Sequence, residues 1–169
     1  MKEEIVNRVA NSALVTFDLE SFYPEGPRMV LDISQWLEDG VVLREKQFRQ
    51  ELKNFDWTPY NDAYVAIQCS TNAIIPGWAY LLVSIYLNEV AKFNVQGSME
   101  NLESMLFCEM LNQMDISEFE NKPVVIKGCA HKPIPENAYL LAANKLQPVA
   151  KSLMYGEACS SVPLYKKPK

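Results

Sequence analysis

The chain is poor in the residues from which most catalytic signatures are built. It holds a single histidine, His131, so the zinc hydrolase signature H-E-x-x-H cannot be formed. Its six glycines form neither a phosphate-cradling P-loop nor the G-x-G-x-x-G turn of dinucleotide-binding folds. Its four cysteines include no C-x-x-C pair, which removes the local spacing of most structural zinc sites. Basic residues are also scarce, with 16 Lys and Arg against 21 Asp and Glu and a formal charge of -5. The one basic cluster is the tail "YKKPK", which reads as a solvated end. A nucleic-acid partner is therefore not expected.

Long apolar runs are missing too. The most apolar stretch, "AIIPGWAYLLVSIYL", is interrupted by Pro76 and Gly77 and soon meets Asn88 and Glu89, so it falls short of a membrane-spanning helix. No membrane association is expected. The opening "MKEEIVNRVA" is acidic and amphipathic, without the apolar centre of a secretory leader. That points to the cytoplasm, where cysteines are thiols or ligands rather than disulfides.

What is present is a globular composition. About half of the 169 residues are apolar, and a chain of this size buries roughly two thirds of the surface its unfolded form exposes. The expectation is one domain in three stretches: an N-terminal helix, hairpin and helix over 1–63, a core over 64–156 and a tail over 157–169. Residues 2–11 read as a short helix. "ALVTFDL" and "RMVLDI" read as strands flanking the loop "YPEGP", together a hairpin. "SQWLEDG" suits a short capped helix, "VVL" a brief strand and "REKQFRQELKNF" an amphipathic helix.

From Tyr64 onward, strand and helix alternate. "YVAIQC", "KFNVQ", "PVVIKG" and "SLMY" read as strands, and "GWAYLLVSIYLNEVA", "SMENLESMLFCEMLNQM" and "PENAYLLAANKLQ" as helices. This implies an α/β fold with a parallel or mixed sheet and an N-terminal β-rich extension.

The alternation contains an internal repeat. "AYLLVSIYLNEVAKFNVQG" from Ala79 and "AYLLAANKLQPVAKSLMYG" from Ala138 share nine residues without a gap, where chance gives on the order of one. "VAIQC" precedes the first copy and "VIKGC" the second, with a proline three residues before each alanine. With one residue of difference in the loop, Cys69 and Cys129 become equivalent. The core thus reads as two duplicated βαβ units. Leu82 with Leu141, Leu87 with Leu146 and Val90 with Val149 are expected core contacts, and Tyr80 and Tyr139 suit half-buried packing or ligand contact.

The cysteines carry the chemistry. Ligand sites in parallel sheets form at the carboxyl ends of strands, where Cys69 and Cys129 fall, and Cys159 follows the last expected strand. With His131 these residues form a candidate zinc or iron-sulfur ligand set. Buried thiol packing, a Cys129–His131 dyad and redox sensing are the competing readings. Cys108, among methionines on a helix, reads as core. Asp18, Glu20 and Asp32 read as a solvated face.

The segments "EIVNRVANSALVTFDLE", "VVIKGCAHKPIPENAY" and "PVAKSLMYGEACSSVPLYKK" make the whole chain resemble a bacterial family classed as a domain of unknown function. The resemblance implies a cytosolic bacterial protein. It brings no activity, cofactor or site residue. The functional expectation is a small-molecule or metal-binding α/β protein with a thiol-lined site at the strand ends, with homo-oligomerisation open. The alternatives are an interaction module with packing cysteines and a thiol-dependent enzyme.

Overall fold

The structure is a computed structural model that describes residues 14–128, 131–157 and 160–168. The helix expected over residues 2–11 lies outside these. The α/β class holds, but the strands divide between two sheets, each in its own compact unit. One unit comprises residues 24–105 and the other residues 1–23 with 106–169.

In the unit of residues 24–105, β2 (Arg28–Asp32), β3 (Tyr64–Gln68) and β4 (Phe93–Gln96) form an all-parallel sheet in that order. The helices α1 (Glu45–Asn54) and α2 (Gly77–Leu87) make the crossovers. Val65, Ala66 and Ile67 are buried in succession, because a parallel strand with both faces covered has no polar side to show. Beside the sheet, Trp36 meets Phe48, Phe55 and Trp57 at ring-centroid separations of 5.7, 5.1 and 6.1 Å. Arg28 starts β2, and its guanidinium grips Glu103 of α3 (Met99–Gln113).

The other unit has β1 (Val15–Phe17), β5 (Pro123–Ile126), β6 (Ser152–Glu157) and β7 (Ser160–Lys166), in that order. β1, β5 and β6 are parallel, and β7 runs antiparallel to β6. α4 (Glu136–Leu146) joins β5 to β6, and Phe17, Val124, Ile126, Ala138, Ala142 and Leu146 contribute to its core.

Part of the hydrogen-bonding pattern of one unit recurs in the other. β3-α2-β4 and β5-α4-β6 correspond at a constant spacing of 59 positions. Thus Tyr64 pairs with Phe93 and Pro123 with Ser152. The Lys92 N–H donates to the Ala63 carbonyl, and the Lys151 N–H to the Lys122 carbonyl. Asp62 and Asn121, just ahead of the strands, both have φ of 56°. In each unit a strand ends near an aspartate, Asp18 or Asp32, that caps a single 3-10 turn.

Three expectations change. The hairpin is not formed: β1 and β2 lie in different sheets, each pairing in parallel with a strand far along the chain. Local turn residues favour antiparallel pairing, but the backbones of both strands are paired instead with parallel partners from elsewhere in the chain. The segment "VVL" gives only an isolated bridge between Glu38 and Val42. The tail is a strand through Lys166, since β7 satisfies the outer edge of β6 that would otherwise expose its backbone.

Candidate functional site

In the unit of residues 24–105, parallel β2 and β3 end together and bring Asp32, Cys69 and Ser70 to one edge. Asp32 Oδ1 accepts the Ser34 N–H at 3.0 Å and the Ser70 N–H at 3.0 Å, so one carboxylate ties two strand ends. The Ser34 and Ser70 hydroxyls lie 3.1 Å apart. Cys69 Sγ is 3.3 Å from Thr71 Oγ1. Tyr80, in the first turns of α2, belongs to the same edge.

Burial works against ionisation of Asp32, yet the hydrogen bonds from Ser70 and Ser34 outweigh it and hold the carboxyl below its ordinary range. Burial, then the nearby Cys69 and Asp32, push the Tyr80 phenol up. A depressed carboxylate contributes stability above its unfolded pKa of about 3.9, and that stability is lost as pH falls through the folded value. The urea midpoint should therefore drop below about pH 4. Asp32→Asn should flatten this acid limb. A variant whose midpoint falls as steeply as the parent's would remove Asp32 from the account.

The unit containing β1 and β5 presents a charged version of this edge. Asp18 Oδ1 accepts the Glu20 N–H at 3.0 Å, and Asp18 Oδ2 accepts Lys127 Nζ at 2.7 Å. Glu20 Oε2 lies 3.7 Å from the same ammonium. The hydrogen bond to Asp18 raises the Lys127 pKa, partial desolvation opposes it, and Asp18, Glu20 and Glu157 add attraction. Tyr139, the counterpart of Tyr80, meets Tyr155 edge-on at 5.8 Å.

The thiol set fares unevenly. Cys129 and Cys159 lie outside the described residues. Cys69 is half-buried at the end of β3, and His131 is exposed, its backbone N–H donating to Glu20 Oε1 at 3.2 Å. These two residues belong to different units. Among the described residues no three His, Cys, Asp or Glu side chains are grouped to hold a metal. Cys108 is half-buried, and the Asn112 amide reaches its sulfur at 3.6 Å.

The pairing of Cys69 with Cys129 shifts by one. The spacing of 59 that relates Tyr64–Phe93 to Pro123–Ser152 puts Cys69 in correspondence with Gly128. A side chain at position 128 would crowd Tyr155, since a Cβ there would stand 3.0 Å from the ring, which would have to give by a few tenths of an ångström. The counterpart of Tyr155 is Gln96, and a cysteine is accommodated at position 69.

The residues that form the two edges include ones read from sequence as a solvated face. The signal was in the sequence: "TFDLESF" and "VLDISQW" share an apolar residue, aspartate, apolar residue pattern and end on an aromatic. A hairpin reading set these segments against each other and hid their parallel roles.

A family model described as Protein of unknown function (DUF2480) matches residues 3–167. The chain belongs to that family. Neither the curated proteins nor the solved structures contain a match to it. In this DUF2480 chain the matched span takes in both strand-end edges, with Asp18, Asp32, Tyr80, Lys127 and Tyr139. No helix among the described residues is long and apolar enough to cross a membrane.

Proposed function

We propose that this protein is a small-molecule binding module that recognises a polar ligand, bearing hydroxyl or amino groups, at the carboxyl ends of its parallel strands. One observation carries the reading. The carboxyl ends of the parallel strands gather hydrogen-bonded polar side chains, Asp32 with the Ser34 and Ser70 N–H groups in one unit and Lys127 with Asp18 and Glu20 in the other, and the shifts there leave each group's usual charge state in place. General acid–base catalysis works best with a group that titrates near the operating pH. Groups held as a fixed carboxylate, a protonated phenol and a fixed ammonium serve instead as constant acceptors and donors. Such groups orient a ligand without exchanging protons with it. The reading includes a duplicated strand–helix–strand unit, supported by the spacing of 59 that recurs in the hydrogen bonds, and a cytoplasmic bacterial setting in which Cys69 stays reduced.

A thermal-shift screen of polar metabolites against the full chain tests it. A ligand at a hundred times its Kd adds about 2.7 kcal/mol to the bound unit, which moves its melting transition by several degrees. The shift should vanish in Tyr80→Phe or in Tyr139→Phe, whichever edge holds the ligand, while the unliganded transition stays in place. Hits whose shifts survive both substitutions would place binding elsewhere and end this reading.

A further inference from the structure

The opposite edge of the four-stranded sheet, at the amino ends of β5 and β6, carries a different chemistry. Backbone hydrogen bonds run from the Lys151 N–H to the Lys122 carbonyl and from the Lys167 N–H to the Lys151 carbonyl, both at 2.9 Å. Three lysines therefore stand in a row across three neighbouring strand ends, a span of about 10 Å at the usual interstrand spacing. Lys166, the last residue of β7, adds a fourth. Here the surface opens into a cleft of about 540 Å³ lined by Asn121, Lys151, Lys166, Lys167 and Pro168, with no acidic side chain among the described residues of its lining. Among the described residues none of these lysines is in an ion pair, whereas Lys127 of the same unit is held by Asp18 and Glu20.

The matching unit shows that the fold does not require this. There the position of Lys122 is taken by Ala63, no strand corresponds to β7, and the counterpart of Lys151, Lys92, lies over the Tyr64 ring at 5.8 Å. Like charges gathered in a chain of net charge -5 repel one another unless an anion shares the cleft.

We propose that the Lys151–Lys166–Lys167 cleft binds a small ligand carrying linked phosphate groups. The short row favours a compact polyanion over nucleic acid, since even single DNA-binding modules bury about 600–1,000 Å². The site lies at the opposite strand ends from the edge proposed for the polar ligand, and it stands or falls separately.

Inorganic tripolyphosphate is the probe, titrated into the full ¹⁵N-labelled chain and followed by amide shifts. The amides of Lys122, Lys151 and Lys167 should move with saturation, and orthophosphate should bind more weakly. All these lysines are exposed, so charge reversal should leave the fold intact. Lys151→Glu with Lys167→Glu should weaken binding by about tenfold or more, as loss of two exposed ion pairs and addition of two repulsions implies. Lys92→Glu should leave it unchanged. An absence of shifts at these amides, or equal weakening by Lys92→Glu, would overturn the proposal. Single-stranded DNA that binds the cleft more tightly than tripolyphosphate would overturn the small-ligand assignment.

Discussion

Leu87→Ala is expected to cost about 2–5 kcal/mol, the range for a leucine removed from a packed core, and Leu146→Ala the same. The two residues occupy the same position in the last turn of α2 and α4, and their exposures are 0% and 1%. Both lie in the buried cores of their units, where close packing makes a lost side chain felt. The outward leucines six residues earlier provide the contrast. Leu81 and Leu140 are 67% and 66% exposed, so alanine there should change stability by no more than about 0.5 kcal/mol.

Urea melts followed by tryptophan emission and by circular dichroism make the measurement. Trp36, Trp57 and Trp78 all belong to residues 24–105, so emission reports Leu87→Ala and dichroism is needed for Leu146→Ala. Costs below about 1 kcal/mol at both buried sites would contradict the packing of these helices.

Arg28→Met should be of comparable size. Arg28 Nε donates to Glu103 Oε1 at 2.8 Å and Nη2 reaches Oε2 at 3.4 Å, while Nη1 donates to the Gly26 carbonyl at 2.8 Å. The guanidinium also lies over the Tyr64 ring, 4.9 Å from its centroid. Glu103 is 8% exposed, so losing the arginine removes two contacts from its carboxylate where little water can replace them. Removing one partner of a buried pair costs about 3–5 kcal/mol, and residual solvent contact places this pair at the lower end.

The double change Arg28→Met with Glu103→Leu should recover much of the loss, since replacing both charges by apolar groups spares the desolvation. A double variant as unstable as Arg28→Met alone would show that packing around the arginine, rather than the carboxylate's lost contacts with it, sets the cost.

The sequence carried the local part of this protein. "YVAIQ" and "PVVI" are strands because uninterrupted branched residues suit a strand buried on both faces. α2 and α4 begin just after Pro76 and Pro135, whose fixed φ suits the position before a helix and whose missing N–H goes unneeded there. Leu87 and Leu146 were legible as core, whereas Leu82 and Leu141 proved only half-buried, because neighbouring positions on one helix face differ in how squarely they meet the sheet.

Pairing between distant segments was not legible. Whether β1 joins β2 or β5 depends on contacts more than a hundred residues apart, and strand sequences alone do not encode a partner. The candidate edges went unread for the same reason. Asp18 and Asp32 are ordinary acidic residues until parallel pairing sets Lys127 beside one and Ser70 beside the other. Composition likewise described "YKKPK" as a loose basic end, and only the antiparallel pairing of β7 aligned its lysines with Lys151. Propensity and periodicity act over a few residues and are written locally, whereas strand register and charge proximity are set by which surfaces the folded chain buries together.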